Sequence, residues 1–80
     1  MEQLLDVVGV EARADGILLL EFANHARRRF DMKPYLDKRP FSKLKGSALF
    51  LQAKPALGTV VWPGDIDIAP ETLWDRSEPV

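Results

Sequence analysis

Residues 58–73 read Gly58-Thr59-Val60-Val61-Trp62-Pro63-Gly64-Asp65-Ile66-Asp67-Ile68-Ala69-Pro70-Glu71-Thr72-Leu73. This run predicts a strand, a Pro-Gly turn, a second extended piece and a helix, with almost no residues between them. Pro63 presets φ for the second position of a type II turn, and Gly64 supplies the positive φ that the third position needs. Pro70 fits the first helical position, where a missing N–H is no loss. The order of these elements indicates a fold that mixes strands and helix, but it indicates no reaction.

The upstream sequence predicts further strands, two hairpins and two short helical turns. Asp15-Gly16 suits the central positions of a type I′ hairpin turn, where both residues need positive φ, and Ala23-Asn24-His25-Ala26 forms a second turn. We expect strands over 7–14, 17–22, 27–32, 48–54 and 59–62, helical turns over 34–38 and 41–44, and a helix from Pro70 to about Ser77. The predicted fold class is α+β: one domain over 1–80, with an antiparallel, meander-like sheet of about five strands, short helical turns and a C-terminal helix.

Composition limits the class of protein. The chain has 80 residues and no cysteine, which excludes disulfides, thiolate metal sites and cysteine nucleophiles. The segment Met1–Asp6 is acidic where a signal peptide would be basic, and no apolar run approaches the ~20 residues of a membrane span. We expect a small cytoplasmic protein with no membrane contact.

Charge is unevenly distributed along the chain, although the net charge is only −1. Residues 1–26 carry a net charge of −4, residues 27–45 carry +6, and residues 56–80 carry −4. The basic middle segment could form an anion-binding face. It could also pair with the acidic ends within the fold, which is the interpretation we favour.

Three consecutive arginines, Arg27-Arg28-Arg29, form the sharpest basic feature. In a strand, Arg27 and Arg29 share one face and Arg28 takes the other, so the three do not form a single patch. Nucleic-acid-binding modules usually add a strong net positive charge or base-stacking aromatic residues, and neither is evident here. We therefore expect no nucleic-acid partner, and we expect Arg27 and Arg29 to pair within the chain or to contact an acidic protein surface.

Apolar residues supply a second indication of a partner. The runs 17–20 and 48–51 are apolar on both faces of a predicted strand, so either the small helices or another chain must cover the second face. Trp62 and Trp74 are expected in the core or at its rim, and their alternative role is to anchor an interface, where tryptophan is enriched. These features favour self-association as a homo-oligomer or a small protein partner.

No group of residues indicates catalysis, a metal or a cofactor. Asp65, Asp67 and Glu71 are the densest carboxylates and could bind a hard cation, but the isoleucines that alternate with them favour a half-buried extended segment. His25 lies at a predicted hairpin tip without a nucleophile or an orienting partner. None of the three serines lies in a nucleophile elbow. We predict that the protein is not an enzyme and has no catalytic residue, metal or cofactor.

The sequence also resembles a known family. The matching features are the turn before Arg28-Arg29-Phe30-Asp31, the turn Pro34-Tyr35-Leu36, the segment Phe41-Ser42-Lys43-Leu44 and the block over 58–73, which together cover nearly the whole chain. On these features the chain resembles a family of short bacterial proteins catalogued as a domain of unknown function. One departure is Asn24-His25, where the family usually has Asn-Gly. Because Asn and His tolerate positive φ better than most residues, we expect the turn to survive in a looser form.

The resemblance implies a partner more than a reaction. Members are often encoded beside another small protein, in an arrangement that looks like a toxin–antitoxin pair, and some longer members resemble fusions to a helix-turn-helix DNA-binding module. Some are linked to molybdopterin nucleotide synthesis, which we discount because this chain has no phosphate-cradling glycine loop. We therefore predict an antitoxin-like protein-interaction module in which Arg27, Arg29, Trp62 or Trp74 contacts the partner. The alternative is a small-ligand or anion-sensing domain related to the longer DNA-binding regulators.

Overall fold

The structure is a computed structural model and describes residues 6–80. These residues form short antiparallel strands and short helices that are joined by turns and loops. Residues 1–5 of the acidic N-terminal segment discussed above lie outside this part. The strands are β1 (Val7–Ala12), β2 (Ile17–Phe22), β3 (Arg27–Asp31), β4 (Lys54–Ala56), β5 (Thr59–Trp62), β6 (Ile66–Ile68) and β7 (Glu78–Pro79). The helices are 3-10 helices over Lys33–Tyr35, Phe41–Leu44 and Ala48–Gln52 and the α-helix α1 over Pro70–Asp75. Within residues 6–80, no helix has both the length and the apolar character needed to cross a membrane.

The strands form two sheets. Strands β1, β2, β3 and β7 form a four-stranded sheet in that order, and β4, β5 and β6 form a three-stranded sheet in that order. In the larger sheet, Leu18 of the inner strand β2 lies opposite Ala12 on one side and Phe30 on the other. The register of β1 shifts between Val7 and Gly9, so that the residue between them bulges out of the ladder.

Both sheets and α1 contribute to one core. Leu18 of β2, Val60 of β5 and Leu73 of α1 are each fully buried in the same hydrophobic cluster. The Val7 N–H donates to the Gly58 carbonyl at 2.9 Å, which joins the edge of the larger sheet to the hairpin of the smaller one. All seven aromatic side chains pack in this core or against it: Phe22, Phe30, Tyr35, Phe41, Phe50, Trp62 and Trp74.

The structure differs from the predicted single sheet of about five strands, because seven strands in two sheets are present in residues 6–80. The predicted fourth strand over 48–54 is instead a 3-10 helix over Ala48–Gln52 followed by the short β4. Ser47 caps this helix, since its hydroxyl accepts a hydrogen bond from the Leu49 N–H at 3.1 Å. A short apolar run suits either a strand or a buried helix, and periodicity alone does not separate the two. The antiparallel pairing and the C-terminal helix are confirmed, and α1 ends at Asp75.

The two hairpin turns share one geometry, which differs from the predicted type I′ turn. Of the Asp15-Gly16 pair only Gly16 has positive φ, at +87°. His25 takes the same place in the second hairpin with φ of +70°. In each turn the preceding side chain, Asp15 or Asn24, accepts a hydrogen bond from the backbone N–H two residues further on. Both connections fit a type I turn followed by one left-handed residue, so the second turn survives with histidine at the position that glycine takes in the first.

Candidate functional site

The four-stranded sheet has two faces of different character. One face packs on the core through buried residues such as Leu18 and Leu20 of β2. The opposite face carries Ile17 and Leu19, which are partly buried but neither belong to the core cluster nor pack against it. We call this opposite face the outer face, and strand register places the following residues on it: Gly9, Glu11, Ile17, Leu19, Glu21, Arg27, Arg29, Asp31 and Glu78.

The helix α1 lies on the core side of this sheet and not on the outer face. Its Leu73 is fully buried in the core, and the Trp74 ring meets the core residue Phe22 edge to face, with centroids 5.0 Å apart. A shallow groove along the outer face is lined by residues of β1, β2 and β3 and by Val80. The sequence left open whether the small helices cover the second apolar face of β2. In residues 6–80 no helix covers it.

Charges of both signs frame the apolar residues of the outer face. Leu19 lies opposite Glu11 of β1 on one side and opposite Arg29 of β3 on the other. The Arg29 Nη2 atom lies 3.2 Å from Oε1 of Glu78 in β7. The outer face and its rim carry four acidic and five basic residues: Glu11, Glu21, Asp31, Glu78, Arg13, Arg27, Arg29, Lys33 and Arg76. Because these charges nearly balance, the face has no strong net positive charge of the kind that attracts nucleic acid.

Arg28 points to the core side of the sheet, opposite to Arg27 and Arg29, as the alternation predicts. Its Nε donates to the Ser77 hydroxyl at 2.6 Å, and its Nη2 donates to the Ser77 carbonyl at 2.7 Å. The guanidinium carbon lies 4.4 Å from the centroid of the Trp74 ring. Arg28 therefore fastens the segment after α1 to β3, which is a structural role.

The two tryptophans also hold structural positions. Trp62 is 2% exposed, and its indole N–H donates to the Phe50 carbonyl at 3.1 Å. This assigns Trp62 to the core and leaves almost none of its surface for a partner. Trp74 is partly buried, with its ring against Arg28. Of the four predicted contact residues, the structure brings Arg27 and Arg29 together on the outer face and places the two tryptophans on the core side.

The basic segment 27–45 is partly neutralised within the fold. Lys45 pairs with Asp37, and the Lys33 Nζ lies 3.7 Å from Oδ1 of Asp31. Both pairs join residues of the segment itself. Among residues 6–80, the ion pair that links this segment to an acidic end is Arg29–Glu78. The predicted pairing with the ends is thus present at Arg29, and it does not account for the rest of the segment.

The remaining candidates from the sequence do not form a site. In β6, Ile66 and Ile68 are buried and Asp67 is exposed, which confirms the half-buried extended segment. Within the described range, no three His, Asp or Glu side chains come close enough together to hold a metal ion. His25 is exposed in its turn. Ser47 caps a helix, while the Ser77 hydroxyl accepts from Arg28 and donates to the Trp74 carbonyl.

The sequence indicates the two-sided apolar run in β2 and, by alternation along β1, the face on which Glu11 lies, but not which residues lie beside them. Glu11 and Glu21 lie on the outer face next to Leu19 and Arg27 through strand register, which a single sequence specifies only once the turn geometry is known. The alternation of Glu11 with apolar neighbours on β1 predicts that this acid lies on the face opposite Val10 and Ala12, which the structure confirms.

Comparison with known proteins identifies a family and adds no reaction. Searches of curated proteins and of solved structures found no match. A family model described as "Protein of unknown function (DUF2442)" matches residues 7–79. This range runs from the first residue of β1 to the last residue of β7, so the match includes both sheets and α1. The chain therefore belongs to this family of proteins of unknown function, DUF2442.

Proposed function

We propose that this chain is a protein-interaction module that binds its partner through the outer face of the four-stranded sheet. The observation that supports the proposal is the apolar pair Ile17 and Leu19, which lies in the inner strand β2 and stays apart from the core. Apolar surface of this kind gains free energy when another protein covers it. The charges around the pair would form a polar rim, which is the usual arrangement at a protein interface.

The edges of the two sheets favour binding at a face over binding by strand addition. A partner strand needs a row of free backbone N–H and C=O groups at a sheet edge. The edge strands β4 and β7 contain Pro55 and Pro79, which have no N–H to donate. The edge strand β1 is irregular between Val7 and Gly9, and β6 has only three residues. We therefore expect the partner on a face.

The antitoxin-like role implied by the family resemblance is a more specific form of this proposal, in which the partner is a second small protein. The anion-sensing alternative rests on the basic segment alone. Three cations of that segment, Arg29, Lys33 and Lys45, already lie beside carboxylates of the same chain. The protein-interaction role is the one that we develop, because it also accounts for the apolar pair Ile17 and Leu19, which does not pack against the core.

Photo-crosslinking in cells tests the proposal. One variant carries a photoreactive amino acid in place of Leu19 on the outer face. The control variant carries it in place of Leu51, an apolar residue of the 3-10 helix Ala48–Gln52 that is 52% exposed. We expect a discrete protein adduct from position 19 and none from position 51 at equal expression. If position 19 gives no adduct, or if both positions give the same adducts, the proposal is wrong.

A further inference from the structure

Strand register aligns the outer face in rows that cross the sheet. One row contains Glu11–Leu19–Arg29, in which Leu19 is paired with Glu11 on β1 and with Arg29 on β3, and it continues from Arg29 to Glu78 on β7. The apolar residue therefore has an acid on the β1 side and a base on the β3 side. These three residues come from three different strands, so their order across the sheet is a property of the fold and not of any local sequence.

The neighbouring row carries the same pattern with the charges reversed. The Arg13 N–H donates to the Ile17 carbonyl at 2.8 Å, and Ile17 is paired with Asp31. Ala12 packs against the core, so strand alternation puts Arg13 on the outer face. This row has a base on the β1 side, an apolar residue in the middle and an acid on the β3 side.

A two-fold symmetry axis between two copies would bring opposite charges of the two outer faces together. If two outer faces stack with the axis between them and nearly parallel to β2, each row faces its own copy in reversed order. Glu11 of one copy then faces Arg29 of the other, and Arg13 faces Asp31. Each contact occurs twice by symmetry, and the apolar residues at the row centres meet their own copies. We infer that the partner is a second copy of this chain, bound face to face through the outer face. This inference rests on the proposed function.

The third row limits the strength of this dimer. It reads Gly9–Glu21–Arg27, so the axis brings Glu21 near its own copy, and Arg27 beside it offsets part of the repulsion. Stacked sheets usually cross at about −30°, which separates facing residues away from the axis. Three strands of about five residues give a footprint of roughly 15 by 17 Å, or about 250 Å² per copy, which is below the area that a standard specific interface buries on each partner. We therefore expect a weak dimer.

The ion pairs within the outer face are exposed enough for their residues to pair with a second copy instead. Arg29 and Glu78, 3.2 Å apart, have side chains that are 54% and 73% exposed. Lys33 and Asp31, 3.7 Å apart, have side chains that are 60% and 48% exposed. Pairs as exposed as these contribute little to folding. Arg29 and Asp31 can therefore turn to a second copy, and added salt should weaken the dimer because it screens the new pairs.

Sedimentation of the purified chain over a concentration series at low ionic strength tests the inference. We expect a monomer–dimer equilibrium that shifts toward monomer as salt is added. Glu11→Arg and Arg29→Glu should each weaken the dimer about tenfold or more, a loss of about 1.4 kcal/mol per factor of ten, because each sets like charges against each other. Lys54→Glu reverses an exposed charge on the smaller sheet and should leave the equilibrium unchanged.

Mixing the two weakened variants gives the sharpest result. Chains carrying Glu11→Arg have arginine on both sides of Leu19, and chains carrying Arg29→Glu have glutamate on both sides. Neither should associate with itself, but a mixture should form a heterodimer at least as readily as the unchanged chain forms its dimer. The unfolding midpoint of each variant shows that loss of the dimer is not loss of the fold. A mixture that stays monomeric overturns the inference.

The outcomes separate this inference from the proposed function. A purified chain that is monomeric at every concentration, together with an adduct to a different protein from position 19, overturns the second copy and keeps the interaction module. A dimer that is insensitive to both charge reversals also overturns the inference, because its interface must lie elsewhere. Three results together would support both: a salt-sensitive dimer of the unchanged chain, a heterodimer in the mixture of the two variants, and a position 19 adduct of twice the chain mass.

Discussion

The guanidinium of Arg28 stacks on the indole of Trp74, 4.4 Å from the ring centroid, while its nitrogens donate two hydrogen bonds to Ser77. This contact joins β3 to the segment that follows α1. The strand in that segment, β7, has only two residues, so its ladder alone is a weak attachment. Arg28 therefore adds a partly buried attachment on the core side of the sheet to the exposed Arg29–Glu78 pair and the hydrogen bond from the Val80 N–H to the Arg27 carbonyl.

Replacing Arg28 with lysine should destabilise the fold although the charge is kept. A lysine ammonium cannot reproduce the planar fork that reaches both oxygens of Ser77 while lying over Trp74. We expect a loss of about 1.5–3 kcal/mol, the usual range for hydrogen bonds to a charged group. The urea midpoint at unchanged slope measures it.

The adjacent Arg27→Lys substitution is the matched control. Arg27 is exposed on the outer face, and surface substitutions of this kind usually stay within about 0.5 kcal/mol. Equal effects of the two substitutions would show that the contacts of Arg28 with Ser77 and Trp74 do not stabilise the fold.

Trp62→Phe should destabilise the protein more than Trp74→Phe. The first substitution leaves the Phe50 carbonyl without its donor and opens space at a side chain that is 2% exposed, which we expect to cost about 2–4 kcal/mol. The second keeps a ring against Phe22 and weakens the contact with Arg28, at a cost of about 1 kcal/mol. Thermal and urea unfolding measure both. If Trp74→Phe destabilises the protein more than Trp62→Phe, the assignment of Trp62 to the core is wrong.

Strands were predictable where residue pattern and turn chemistry agree. The predicted limits 17–22 match β2, because Asp15-Gly16 marks the preceding turn and Asn24 the following one. The start of α1 at Pro70 follows from the fixed φ of proline. Assignments of this type rest on local preferences, so tertiary contacts did not need to be known.

The division into two sheets was not predictable in the same way. Helix Ala48–Gln52 is apolar and lies where a strand was expected, and β4 contains Pro55, which speaks against a strand in a single sequence. The strand β7 has only two residues and directly follows Ser77, which Arg28 binds. The outer face was predictable as an apolar strand surface, but its rows of charge depend on register between strands, which one sequence does not reveal.

Ser47→Ala tests why residues 48–52 are helical. Because the Ser47 hydroxyl accepts from the Leu49 N–H at 3.1 Å, its removal should cost about 1 kcal/mol, the usual value for an N-cap. Ser42→Ala is the control, since Ser42 is exposed in another 3-10 helix and should change the free energy of unfolding by less than about 0.5 kcal/mol. If the two variants have the same urea midpoint, the cap does not determine this helix.

Leu57→Asn should make the protein more stable. Leu57 and Gly58 are the two residues between the paired Ala56 and Thr59, and both have positive φ, +54° and +79°, which is a type I′ turn. Leucine in the left-handed region costs about 1–2 kcal/mol, whereas asparagine is preferred there, and Leu57 is 98% exposed and so has little packing to lose. We expect a gain of about 0.5–1 kcal/mol in the free energy of unfolding. Leu51→Asn, at a 52% exposed helical position, should give no gain. A loss of stability in Leu57→Asn would contradict this prediction, because it would mean that the Leu57 side chain makes a stabilising apolar contact.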